Sequence, residues 1–509
     1  MATTVQDTAG ARAAAGEKGL KGGAIGLVSS IVVGVASTAP AYSLAASLGY
    51  VVLVMNGEGI VGTKAPAIML LAFIPMYFIA VAYAELNKAE PDCGTTFTWA
   101  ARAFGPKAGW MGGWGIIVAD VIVMANLAQI AGKYTFLLFG WEGAAESTAA
   151  NTALGVAWIA IMTLICWIGT EVSARLQVVL LGAEVLTLAA FAIVALVKVL
   201  TGNGGPNAVD PSLSWLNPFE IDSVSALVSG VLIAVFIYWG WDSTVTVNEE
   251  SADATEGPGK AALLATVCLL VIYVVVSFAA QAFDGAQTLI DNQDDVLDVI
   301  GKQVFGEPWD KLLVIAVLTS AAASTQTTIL PTARTALSMA RVDALPKRFA
   351  HIHQRFQTPD VSTLLMGAFS IVWYVGLTLV SENILYDSIA ALGLMIAFYY
   401  GITGIACVVY YRRELRRGVK ELLLIGVGPL LGGLSLLAIL VKSLIDLADP
   451  ANSESGDSWF GIGPPLVIGV GLMLVGVVYM LFWRRAHPEF FKRRPTTVDP
   501  AILDRGPGQ

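Results

Sequence analysis

Twelve continuous apolar runs constrain this chain more than any other feature. They fall near 24–54, 66–86, 109–138, 152–170, 176–200, 225–247, 260–282, 311–340, 361–380, 384–411, 421–446 and 463–483. A membrane-spanning helix needs roughly 20 apolar residues. The runs are continuously apolar rather than alternating, which sets barrel strands aside. The expected fold is an all-α polytopic membrane protein of about twelve transmembrane helices. Composition agrees: 14% of residues are charged, against about 25% in a soluble domain, so lipid must be the solvent for much of the surface. The net charge of −9 gives no sign of nucleic-acid binding.

That net charge hides a segregation by side. Twelve spans place both ends of the chain on one face. If that face is cytoplasmic, 24 of the 30 Lys and Arg residues lie on inside segments, and only Lys64, Lys133, Lys198, Lys302, Lys311 and Lys442 lie outside. The positive-inside rule then predicts a multi-pass protein of the plasma membrane with both termini cytoplasmic. Residues 1–22 read as a disordered cytoplasmic tail, 23–485 as the membrane domain, and 486–509 as a second cytoplasmic tail. The acidic stretches 202–223 and 283–310 read as outer loops. The stretch 345–359, with Lys347, Arg348, His351, His353 and Arg355, reads as a short amphipathic piece along the interface. The four cysteines, Cys93, Cys166, Cys268 and Cys407, are far apart and show neither metal spacing nor a disulfide framework.

Two runs are interrupted. The first contains Ala36, Ser37, Thr38, Ala39 and Pro40; the sixth contains Tyr238, Trp239, Gly240 and Trp241. Proline supplies no N–H and disfavours a helical residue before it, and glycine makes local unwinding cheap. Backbone unwound at membrane depth survives only where protein or a water-filled cavity satisfies it. Five spans separate the breaks, so they occupy matching places in two halves, the best sequence pointer to a transporter site. The second part of helix 1 would start near Thr38 and offer free N–H groups and a positive dipole end to a carboxylate. The first part of helix 6 would end near Phe236–Tyr238 and offer carbonyls to an ammonium. The expected substrate-binding residues are Ala36, Ser37, Thr38, Ala39, Phe236, Ile237, Tyr238 and Gly240. One small molecule with an ammonium and a carboxylate fits both ends.

Three stretches resemble the amino acid–polyamine–organocation superfamily of permeases. The first runs through Tyr83, Ala84, Glu85 and Leu86, then Pro91 and Gly94, then Phe104 and Gly105, then Gly113 and Trp114. The second runs from Phe236 to Glu250, an aromatic–Gly–aromatic–Asp break ending in two glutamates. The third holds Ser338 to Arg341, Leu345 with Pro346, and Thr358 with Pro359. The resemblance implies two inverted five-helix repeats (about 24–200 and 225–411), two further helices (about 421–483), breaks in helices 1 and 6, and alternating access. It also implies that Phe236, Trp239 and Trp241 serve as a gate, with Phe236 closing over the ligand. The family often breaks helix 1 with glycines; this chain uses Ala36 to Pro40 instead.

Ionisable residues inside spans are costly and therefore functional candidates. Glu184 in span 5 stands where, the resemblance implies, proton-coupled relatives can hold a lysine. A glutamate cannot copy that cation. It could carry the coupling proton, ligate sodium with Ser324 and Thr325 of span 8, or hold a second substrate amine. Asp120 in span 3 could share a network with Asn126 or Gln129, or meet Glu184. Asp242 could cap the restarted helix 6. Glu184, Asp120, Ser324 and Thr325 are the ion-coupling candidates, for H+ or Na+. Glu85, Arg102, Arg175, Glu249, Glu250, Arg334 and Arg341 gather at span ends and could form an inner gate of ion pairs.

The function this predicts is secondary active import of amino acids, coupled to protons. The alternatives are import of a polyamine or other organic cation, amino acid exchange, and a nutrient sensor on a transporter scaffold. Nothing repeats like a channel filter. The sequence shows no nucleophile–base set, metal motif or phosphate loop, so neither an enzyme nor a cofactor is expected.

Overall fold

In the computed structural model, residues 18–57, 59–293, 296–380, 384–453 and 455–493 are described. The two expected tails lie mostly outside them. Leu27–Ser37 (α1) and Pro40–Leu53 (α2) form the first span. Ala65–Ala89 (α3) is followed by the short Thr96–Phe104 (α4). Pro106–Leu138 (α5), Thr148–Ile168 (α6) and Thr170–Leu200 (α7) complete the first half. Val224–Ile237 (α8) and Ser243–Thr246 (α9) open the second. Gly257–Asp291 (α10), Val296–Phe305 (α11), Lys311–Arg341 (α12), Asp360–Val380 (α13) and Ile384–Tyr410 (α14) follow, then Gly428–Asp446 (α15) and Pro464–Ala486 (α16).

Among the described residues, eleven helices are long and apolar enough to cross a membrane, counting α1 and α2 as one. The missing twelfth is the expected span at 225–247. It is present as α8 and α9, and the break leaves each piece too short by itself. Helix starts follow local chemistry. Pro40, Pro106 and Pro464 sit at first helical positions, where the absent N–H costs nothing. The hydroxyls of Ser147 and Ser223 accept the backbone N–H groups of Ala150 and Ala226 at the heads of α6 and α8.

The helix α12 lies at the centre and packs along α5, α7, α1 and α2. It is buried along nearly its whole length. In contrast, α7, α13 and α16 turn Leu186, Phe369, Val372 and Phe482 outward. In water such a surface would aggregate; a bilayer covers it. Both described chain ends reach one face: Arg341 Nη2 donates to the Lys18 carbonyl at 2.7 Å, and Trp483 Nε1 donates to the Asp343 carbonyl at 2.9 Å. We call this the terminal face.

One expected loop is wrong. Residues 283–310 hold the end of α10, kinked at Asp284 and Gly285 (φ 69°), and the whole of α11. Val296, Leu297, Ile300 and Val304 recur on one helical face and are buried. The acidic residues around them masked that period. The stretch 202–223 remains a loop with two single-turn segments, and Trp215 within it packs on Phe278 at 4.8 Å. At 345–359 one short turn, Lys347–Ala350, keeps its two basic side chains exposed.

Candidate functional site at the helix breaks

Both interrupted helices are broken where expected. After Ser37 the chain leaves the helix, and Ala39 takes a left-handed conformation (φ 48°, ψ 65°) before α2 restarts at Pro40. That conformation costs an L-residue about 1–2 kcal/mol, so the surrounding contacts must hold it. Gly240 turns the second break with φ 118°. A Cβ added there would lie 2.8 Å from the Ser37 carbonyl oxygen. The breaks therefore touch, backbone to backbone, and only glycine fits.

The backbone ends at these breaks are not left open as expected. The Ala41 N–H donates to Glu184 Oε1 at 2.7 Å, and the Tyr42 N–H to Ser320 Oγ at 3.3 Å. The N–H groups of Thr38 and Ala39 turn back to the Val35 and Ala36 carbonyls. The head of α2 is thus an anion seat already holding a carboxylate. Glu184 is fully buried, and its Oε2 has no hydrogen-bond partner. At the end of α8, the Ile237 carbonyl accepts Tyr273 OH at 2.5 Å, and the Phe236 carbonyl accepts the Trp239 N–H at 3.0 Å. Each carbonyl keeps a second lone pair.

The other candidates divide. Ser324 Oγ donates to the Ser37 carbonyl at 2.8 Å and joins the break. Thr325 Oγ1 instead bonds its own helix, at the Ala321 carbonyl. The residue that reaches the seat is Ser320, one turn before Ser324 on the same face of α12. Sequence reading missed it, although the i, i+4 serine pair was visible. Asp120 meets neither Asn126, Gln129 nor Glu184: Thr332 Oγ1 donates to it at 2.5 Å, and Asn126 bonds Ser388. Asp242 stands before α9 but makes no cap. Its carboxylate accepts Tyr400 OH at 2.9 Å and Tyr399 OH at 3.2 Å from α14. Those phenols outcompete the local N–H groups, because the restarted helix has only one turn to offer.

The same tyrosines organise the aromatic cluster. Trp239 Nε1 bonds Tyr399 OH. Trp241 stacks on Tyr400 at 5.2 Å and meets Tyr83 edge-on at 5.2 Å. Tyr238 OH reaches the Met69 carbonyl at 3.2 Å. Ala36, Ile237 and Tyr238 are buried, whereas Phe236 is partly exposed at the edge of the core.

At the terminal face, the expected cluster of ion pairs collapses to a smaller set. Arg334 makes a two-point pair with Glu250, at 2.6 Å from Nε and 2.9 Å from Nη2, and also donates to Thr170 at 2.9 Å. Thr170 in turn donates to Glu250. Arg334 and Glu250 are both buried. Arg102 and Arg175 make local pairs with Glu90 and Glu171, and Glu85 with Lys88. Glu249 takes Lys18, and Arg341 takes the Lys18 carbonyl.

Two helices broken at matching places and touching in mid-bundle, inside a polytopic apolar scaffold, define a membrane transporter. The chain belongs to the amino acid permease family, whose model matches residues 24–483. An uncharacterized transporter of Mycobacterium tuberculosis is 27% identical over 360 residues, covering 68% of this chain and 72% of the relative. The low-affinity putrescine importer PlaP of Escherichia coli is 21% identical, covering 80% and 86%. The large neutral amino acids transporter small subunit 2 of Homo sapiens is 25% identical, covering 86% and 77%.

Proposed function

We propose that this transporter imports an amino acid across the plasma membrane by alternating access, coupled to protons, with both termini in the cytoplasm. The substrate lodges between Ala36–Ala39 and Phe236–Gly240. The observation that carries this reading is the Glu184 carboxylate on the Ala41 N–H. A helix N-terminus favours an anion, and here the protein's own anion takes the place a substrate carboxylate would take. Two carboxylates competing for one N–H exclude each other while both are charged. A proton on Glu184 removes that conflict, so substrate and proton enter together. The substrate ammonium then uses the spare lone pairs at Phe236 and Ile237, with Phe236 closing over it. Of the other coupling candidates, Ser324 holds the break's shape, whereas Thr325 and Asp120 bond Ala321 and Thr332 instead.

A second reading is import of a polyamine or another organic cation. Its support is that Glu184, Asp120 and Asp242 are buried acids without a Lys or Arg partner among the described residues, and that one relative is named a putrescine importer.

Purified protein in liposomes under an inward pH gradient should accumulate amino acid. Glu184→Gln should bind and exchange substrate but lose pH-driven accumulation. Excess amino acid should block uptake of the labelled substrate, and putrescine should not. Unchanged proton dependence in Glu184→Gln removes Glu184 from the coupling step, and block by putrescine alone selects the cation reading.

A further inference from the structure

Ahead of α1, the described chain begins as a strap across the terminal face. Leu20 is buried with Cys93 and Leu337. The Ile25 N–H donates to the Glu250 carbonyl at 3.1 Å, and the Ala252 N–H to the Ile25 carbonyl at 2.8 Å. Arg341 holds the Lys18 carbonyl. The strap thereby joins the α3–α4 corner, the segment after α9 and the end of α12.

At its start, the Lys18 ammonium enters a cage. Nζ lies 2.7 Å from Asp92 Oδ2, 2.6 Å from Glu249 Oε1 and 3.6 Å from Cys93 Sγ. The cage is built independently of the lysine. Asp92 Oδ1 accepts the Gly94 N–H, Thr98 Oγ1 and Ser338 Oγ at 2.6–2.8 Å. The Cys93 N–H fixes Glu249 Oε1 at 3.0 Å. Glu249 Oε2 is buried and has no partner. Three donors of one ammonium meet three acceptors from two separate segments, a match of number that a guanidinium fork or a quaternary amine does not make.

The electrostatics fit a charged occupant. Burial acts to raise the Asp92 carboxyl, but the Lys18 charge and the hydrogen bonds to Lys18, Ser338 and Gly94 outweigh it and hold it at about 2. Burial acts to lower Lys18, and the charges of Asp92, Cys93 and Glu249 outweigh it and hold the ammonium well above the usual lysine range.

We propose that Asp92, Cys93 and Glu249 form a binding site for a primary ammonium, filled in this conformation by the chain's own Lys18, and that the lysine must leave it for the terminal face to open. The strap precedes α1 directly, so a swing of α1 away from α12 pulls Lys18 out. One buried carboxylate, Glu249, and one half-buried carboxylate, Asp92, then face an empty cage that any solute carrying a primary amine can enter. This holds whichever solute is transported.

Cys93 reports the state of the cage, because it is buried behind Lys18, whereas Cys268 is exposed. In full-length protein carrying Cys268→Ser, maleimide labelling of Cys93 is followed by peptide mass spectrometry. Lys18→Ala should speed labelling about tenfold or more. Added ethylammonium should restore protection, and tetramethylammonium at equal ionic strength should not. Buried Cys166 and Cys407 should stay unlabelled; where they do not, Lys18→Gln replaces the alanine variant. Cys93 labelling no faster without Lys18, equal protection by both amines, or protection by zinc but not ethylammonium would each overturn the proposal.

Discussion

Glu250 and Glu184 are both fully buried glutamates in one bundle, and they live in opposite conditions. At the terminal face, Glu250 has both oxygens on Arg334, with Thr170 closing the ring. At the break, Glu184 has one oxygen on the Ala41 N–H, the Ser320 hydroxyl close beside its carboxyl, and its Oε2 without a hydrogen bond. A buried charge with every lone pair met is held in place, and breaking it is expensive. A buried acid with half its capacity unmet is ready to change partner or to take a proton. The difference separates a latch from a moving part, and it separates stability from coupling.

The sharpest way to break this comparison is to orphan the latch. Arg334→Gln leaves Glu250 buried without its partner and should cost about 3–5 kcal/mol, read as a large drop in thermal midpoint in detergent. Replacing Arg334 and Glu250 together with Met should recover most of that loss. If the single variant unfolds no earlier than the parent, Glu250 is no latch.

Next in size is Gly240→Ala. The new methyl meets Ser37 backbone at a positive φ, so overpacking of about 1–3 kcal/mol adds to strain of about 1–2 kcal/mol. Uptake should fall more than stability, because the two breaks must separate. Retained wild-type uptake would mean that they need not touch.

Lys18→Gln should cost about 1–3 kcal/mol, with a defined pH window. Asp92 is held low, at about 2, so its contribution is present above the usual carboxylate range and is lost as pH falls towards that value. Glu249 is raised, by burial first, so its charged form is the one the fold disfavours, and its protonation begins earlier in the same descent. Lys18 is held high, so nothing is lost until pH exceeds the usual lysine range. The gap in thermal midpoint between parent and variant should be level in mildly alkaline solution, below the usual lysine range, and narrow towards acid, with Glu249 titrating first. A gap that widens as pH falls would show that another group controls the strap.

The smallest expected effect on stability belongs to Glu184→Gln, within about 1 kcal/mol, because an amide still accepts the Ala41 N–H and needs no proton. A loss as large as that of Arg334→Gln would make Glu184 structural and erase the contrast.

Much of this was legible in one dimension. The apolar runs place nearly every helix, because lipid demands about the same length each time. Pro40 and Gly240 mark the breaks, because each carries its backbone consequence within a few residues. Val296 to Val304 was legible too, but its acidic surroundings disguised the period. The partners were not legible. Asp242 looked like a cap, and two tyrosines from α14 claimed it. Asp120 found Thr332 rather than its own helix's neighbours. Lys18 looked like tail, yet its ammonium sits with carboxylates 74 and 231 positions away.

The sequence by itself determined that the chain is a multi-pass membrane protein, which runs are apolar enough to cross, and where two of them fail to stay helical. Those properties depend on local apolarity and on backbone chemistry within a single turn. Only the tertiary structure decided which buried charge is answered and which is left half-answered. That choice depends on which side chains from distant helices arrive within 3 Å, and no pattern along one strand of sequence records it.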